Sequence, residues 1–107
     1  MTDTQTTKYL PLSESTYYIL LSLIEPLHGY GVMQKVEVIS EGKVTIGPGT
    51  LYGAFSTLEK EGLISMVKEE ERRKSYALTS KGRAVLKEQI IRLQIMAQNG
   101  QAASGKL

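Results

Sequence analysis

Apolar side chains recur at helical spacing in four stretches of this chain and alternate with polar ones in a fifth, with glycine and proline at the joints. The clearest stretch opens at Gly47-Pro48, a glycine at the N-cap position and a proline where the missing N–H costs nothing. Leu51, Phe55 and Leu58 follow at i, i+4 and i+7, one apolar stripe on a helix predicted over residues 48–61, and Gly62 supplies a left-handed stop. Away from that stripe lie Thr50, Tyr52, Gly53, Ser56 and Thr57, small or hydroxyl-bearing and uncharged. Such a face can lie close against another surface, and the major groove of DNA is one that fits it.

The flanking pattern builds outward from this helix. Ser13 is a good N-cap for a first helix over residues 14–25, ended by Pro26. Its apolar residues (Tyr17, Tyr18, Ile19, Leu20, Leu21, Leu23, Ile24) run nearly all round. That width suits a helix buried in its own core and also a second face, including Tyr17 and Leu21, against a partner subunit. Leu27-His28-Gly29-Tyr30-Gly31 reads as a turn into a second helix over about residues 30–40, with Val32, Met33, Val36 and Ile39 inward. His28 reads as a turn residue with a satisfied hydrogen bond rather than a ligand. Val44-Thr45-Ile46 is long enough only for a short strand or an extended connection. Residues 63–68 and 75–78 form a hairpin, joined by a charged turn, Glu69-Glu70-Glu71-Arg72-Arg73-Lys74. Thr79 caps a last helix over residues 80–98, about 28 Å long at 1.5 Å per residue. Leu86, Ile90, Leu93 and Ala97 form its row, widened by Val85, Ile91, Ile95 and Met96. It is too long and too apolar for the small domain before it, so Leu86, Ile90, Leu93 and Met96 are expected to pair with a second copy. Residues 1–11 read as a flexible arm and 99–107 as a flexible tail, with Asn99-Gly100 stopping the helix.

Helix, helix, short strand, helix, hairpin is the order of a winged helix-turn-helix, mainly α with a small β-hairpin (α+β). The domain covers residues 12–78, and residues 79–98 form a C-terminal dimerisation helix. A length of 107 residues suits one such domain with a modest core. No stretch resembles a signal peptide or a membrane span, and the lack of cysteine is compatible with the expected cytoplasmic location. The net charge is only +2, yet its distribution is uneven. From Arg72 onward stand Arg72, Arg73, Lys74, Lys81, Arg83, Lys87, Arg92 and Lys106 against Glu88 alone. Arg72, Arg73 and Lys74 at a hairpin tip can reach phosphates or the minor groove. Catalytic chemistry has little to work with: one His, one Asp, no Cys and no cluster of metal-ligand type, so neither an enzyme nor a cofactor is expected.

The ordered set of His28-Gly29-Tyr30, Thr50-Leu51-Tyr52, Phe55, Leu58-Glu59, Gly62-Leu63-Ile64, Arg72-Arg73-Lys74, Tyr76, Leu78-Thr79 and Gly82 resembles the PadR family of transcriptional regulators, in its short form with a single C-terminal helix. The resemblance implies a homodimer on a pseudo-palindromic operator in double-stranded DNA, repressing nearby genes. On that reading Tyr30, Thr50, Tyr52, Ser56 and Thr57 offer hydroxyls to phosphates or base edges, and Gly53 permits close approach. Arg72, Arg73 and Lys74 become the cations of the wing. The chain departs from the family pattern in having no Trp. Met66-Val67 stand where many relatives carry one on the wing, and Leu93 and Met96 stand in the region where some carry one on the last helix. A small-molecule effector at the dimer seam would then meet an aliphatic wall rather than stacked indoles, and the absence of any effector fits equally. A different class of function is a winged-helix adaptor for proteins, toward which Glu59 and Glu61 lean and from which the basic wing leans away.

Overall fold

A computed structural model describes residues 4–107. The elements are α1 (Thr4–Thr7), α2 (Glu14–Ser22), β1 (Leu27–His28), α3 (Gly29–Ile39), α4 (Pro48–Lys60), β2 (Ile64–Glu70), β3 (Arg73–Leu78) and α5 (Ser80–Ser104). The strands form one antiparallel sheet in the order β1-β3-β2, beside a core of Ile19, Leu20, Leu23, Val32, Val36, Leu51, Phe55, Leu58, Leu63, Ile64 and Val85. This is the winged helix-turn-helix expected, an α+β fold with α3 and α4 as its helical pair. Among the described residues no helix is long and apolar enough to cross a membrane.

The caps work locally as read. The Ser13 hydroxyl accepts from the Thr16 amide at 3.1 Å, and Thr79 from Gly82 at 3.0 Å. Pro48 opens α4 behind Gly47, and Gly62 closes the following turn at φ +77°. Several boundaries differ. The first helix ends at Ser22, earlier than expected, and the carbonyl of Leu23 just beyond it accepts from the Leu78 amide of β3 at 3.0 Å. Strand β1 is Leu27–His28, where the pattern predicts a turn, and of the two alternatives for Val44-Thr45-Ile46 the connection without a strand is the one found. The Ser40 hydroxyl occupies the Val44 backbone instead, accepting from its amide at 3.0 Å and donating to its carbonyl at 3.2 Å. Val44 and Ile46 still bury their side chains.

The charged turn is also smaller than expected. Strands β2 and β3 run on until only Glu71 and Arg72 remain between them, at φ +51° and +69°, the two positive values of a tight type I′ hairpin. Glu70 therefore stands opposite Arg73, and Glu69 opposite Lys74. Acids preceding cations in sequence is thus a cross-strand charge pattern rather than a loop composition. Lys68 adds an ion pair to Glu70 at 3.2 Å. A register shift between Met66 and Lys68 makes Val67 the extra residue of a bulge.

Both ends of the chain are more ordered than the flexible arm and tail expected. Residues 1–3 of that arm lie outside the described residues, but Thr4–Thr7 form a helical turn against α5, and Thr6 is buried. The Leu12 amide donates to Oε1 of buried Gln89 at 2.9 Å, and Lys81 sits 4.9 Å over the Tyr9 ring. At the other end α5 continues through Asn99 and Gly100 to Ser104, about 37 Å in all. Asn99 does not stop it, because its side-chain amide donates back to the Ile95 carbonyl at 2.9 Å.

Candidate nucleic-acid interface

Helix α4 presents two faces. Leu51, Phe55 and Leu58 are buried, while Thr50, Tyr52, Gly53, Ser56 and Thr57 are exposed, as the stripe requires. The exposed face carries no charge until Glu59 and Lys60 in its last turn. Cationic groups come instead from the wing. Arg72, Arg73 and Lys74 are all exposed, and together with His28, Gly29, Tyr30, Tyr52, Glu71 and Tyr76 they line an open cleft of about 450 Å³.

Five of the expected DNA-contacting residues thus meet at one place although they come from three elements: Tyr30 from α3, Tyr52 from α4, and Arg72, Arg73 and Lys74 from the wing. Tyr30 and Tyr52 are 59% and 54% exposed, so both side chains have surface free for a partner. Thr50, Gly53, Ser56 and Thr57 do not line the cleft; they occupy the free surface of α4 beside it. The Tyr52 ring is held edge-on to Phe55, with centroids 6.2 Å apart, and Phe55 in turn lies 4.8 Å from the Tyr76 ring. Helix α3 opens into the same cleft with His28 as its N-cap and no side-chain bond to its first-turn amides. Those amides and the hydroxyls suit an anionic partner, and the wing cations give it a counter-charge.

Sequence reasoning misses His28, Gly29, Glu71 and Tyr76 as members of this cleft. The repeated glycine of His28-Gly29-Tyr30-Gly31 is the available signal for a close approach there. Tyr76 stands two residues from Lys74 on one strand and so shares its face.

A second cluster gathers residues expected at a subunit seam. Tyr17, Leu93 and Met96 line a shallow apolar groove with Pro11, Leu12, Glu14 and Gln89, of about 200 Å³. Burial, with the neighbouring Tyr18 phenol adding, raises the Tyr17 pKa above its ordinary value. Leu21 and Ile90 are partly buried against the core of their own chain. Leu86, expected at the seam, is instead 4% exposed and belongs to that core, leaving little surface for a second copy.

The sequence pattern of the transcriptional regulator PadR-like family matches residues 17–88, well over half of the chain. The chain belongs to this family. The PadR-like match runs from α2 into the first turns of α5 and includes every residue of the cleft. A transcriptional regulator from Clostridium thermocellum has the same fold, with a TM-score of 0.68 at 25% identity over 88% of this chain and 91% of its own. A PadR-like transcription factor from Bacteroides fragilis gives 0.67 at 28% identity, over 82% and 87%. Transcriptional regulator YqjI of Escherichia coli K12 is 34% identical over 61 residues, which is 57% of this chain and 30% of that protein. The chain spans less than a third of the length of the curated relatives it matches.

Proposed function

We propose that this PadR-like regulator is a cytoplasmic, homodimeric repressor that binds a pseudo-palindromic operator in double-stranded DNA. The observation that supports the reading best is the cleft. Two exposed tyrosines and three wing cations border an uncharged, exposed face of α4. Thr50, Ser56 and Thr57 read base edges from the major groove, and Gly53 lets the α4 backbone approach. Tyr30 and Tyr52 hold phosphates, and Arg72, Arg73 and Lys74 steady the wing on the backbone or in the minor groove. Repression follows from occupying the operator. Two copies meet through α5 with support from Tyr17 of α2, and Leu93 and Met96 offer any small-molecule effector an aliphatic wall.

Selection of bound duplexes from random fragments tests this. The expected product is an inverted repeat with half-site centres about one helical turn, roughly 34–36 Å, or a multiple of that apart. A chain that retains no duplex in dilute buffer is not a DNA-binding protein, and the winged domain would then serve as a protein adaptor.

A further inference from the structure

We infer that Gly29 is a positioning residue for DNA recognition: lacking a side chain, it lets the Tyr52 ring bed against the first turn of α3 and so fixes where the Tyr52 hydroxyl meets the duplex. The inference rests on the DNA-binding reading above and deepens it.

Gly29 is buried and is the first residue of α3. Its φ is not in the positive range that Gly42 and Gly62 adopt, so backbone freedom is not what the position uses. What it uses is space. A Cβ at Gly29 would lie 2.6 Å from the Tyr52 hydroxyl oxygen, 2.9 Å from Cζ and 3.0 Å from Cε1. All three atoms belong to the hydroxyl end of one ring, and Tyr52 is among the residues that line the cleft. Tyr52 has Phe55 edge-on as its neighbour on α4, and Phe55 is nearly fully buried against Tyr76. Phe55 therefore cannot yield, whereas the half-exposed Tyr52 ring can swing outward. A methyl group at Gly29 thus moves the hydroxyl while leaving the core in place. In the wild type the seat joins the two helices of the helix-turn-helix through one ring, and Tyr52 lines the same cleft as Tyr30.

The competing explanation is that Gly29 merely helps the fold. Alanine at a helical position with ordinary φ is neutral or stabilising when there is room for it. A loss of DNA affinity without a loss of stability therefore separates the two. The test is a double-mutant cycle on the operator recovered by selection, with Gly29→Ala, Tyr52→Ala and the pair, read by fluorescence anisotropy across a salt series beside urea melts. Tyr52→Ala is expected to weaken operator binding about tenfold or more, the size of a lost hydrogen bond to a charged group. Gly29→Ala should cost a similar factor alone and nothing further in the Tyr52→Ala background. Its salt slope should match wild type, because no cation has been removed. Should Gly29→Ala lose its cooperative melt, the Tyr52→Ala background vacates the seat and restores it. The inference is overturned if Gly29→Ala binds as wild type, if it costs the same factor in both backgrounds, or if the double variant fails to recover the melt. It also falls if Tyr52→Ala leaves affinity unchanged, in which case the DNA-binding reading still stands on the wing. A wild-type chain that ignores all duplexes removes both.

Discussion

Gly82 lies where α5 passes over the chain leaving α4, and a Cβ there would run into the Leu63 carbonyl. Its surroundings leave no slack. The Thr79 hydroxyl donates to the Gly62 carbonyl at 2.6 Å, Lys81 Nζ donates to the Glu61 carbonyl at 3.0 Å, and the Thr79 amide donates to the Leu63 carbonyl at 3.1 Å. The obstructing atom is backbone, so it cannot move aside as a long side chain could. Gly82→Ala should therefore destabilise the domain by about 1–3 kcal/mol, although alanine is the better helix former. Urea unfolding checks this through a lower midpoint at unchanged slope, with Gly100→Ala, which meets nothing within 4 Å, as the control that should not destabilise. Glycines differ in how far a sequence can reveal them. Gly62 is legible as a helix stop because its positive φ is a local demand, announced by the end of the apolar stripe. Gly82 is not, and Gly29 shows only as one of a repeated pair: each makes room for a residue distant in sequence, and no periodicity within its own helix says which.

At the scale of the element, the wing shows how pairing changes the meaning of a charge run. Residues 69–74 read as a charged turn because Glu, Lys and Arg carry little strand signal. The two-residue turn nevertheless fixes the register, and the register sets Glu69 against Lys74 and Glu70 against Arg73. Arg72 differs from the other two cations, since it sits in the turn itself and has no residue opposite it in the ladder. It also holds φ +69°, a conformation glycine adopts without cost. Arg72→Gly should therefore leave the hairpin at least as stable while removing one guanidinium from the cleft. The expected result is weaker binding to operator and random duplexes alike, with a log–log salt slope smaller in magnitude by about 0.9 for each phosphate no longer neutralised. Affinity measured from low to moderate salt checks it; an unchanged slope would mean that Arg72 does not touch the backbone. The same element logic explains strand β1. Leu27–His28 is two residues long and exists only because β3 is there to pair with it, through Leu27↔Tyr76 and His28↔Ser75.

For the molecule as a whole, the decisive feature is how far α5 outruns its own core. Its buried side chains stop at Gln89, yet the helix continues to Ser104, giving the particle a longest dimension of 54 Å against 20 Å across the shortest. Along that projection Ile91, Ile95 and Met96 are 48%, 53% and 65% exposed. The row expected from sequence thus divides in two. Val85 and Leu86 serve the chain's own core, and beyond Ile90 Leu93 is partly covered along the groove it shares with Tyr17, while Ile91, Ile95 and Met96 stay exposed. Periodicity locates the stripe but cannot divide it, because the split depends on where α2 and the N-terminal segment end against α5. Charge placed on the outer part should therefore act on association, and truncation of the inner part on folding. In a two-fold pair each substitution occurs twice, so Ile95→Glu would set two carboxylates into one apolar seam. On the homodimer proposed above, the expected outcome is a monomer by sedimentation where wild type sediments as a dimer, with a urea midpoint per chain like that of a wild-type monomer. Operator affinity should fall toward that of a single half-site, since the gain from tethering two reading heads is lost, while weak binding to random duplex persists. Leu86→Ala should do the reverse: about 2–5 kcal/mol of stability lost with little direct effect on pairing. If Ile95→Glu stays dimeric and keeps its operator affinity, the seam lies elsewhere and the exposed stripe of α5 must face a different partner.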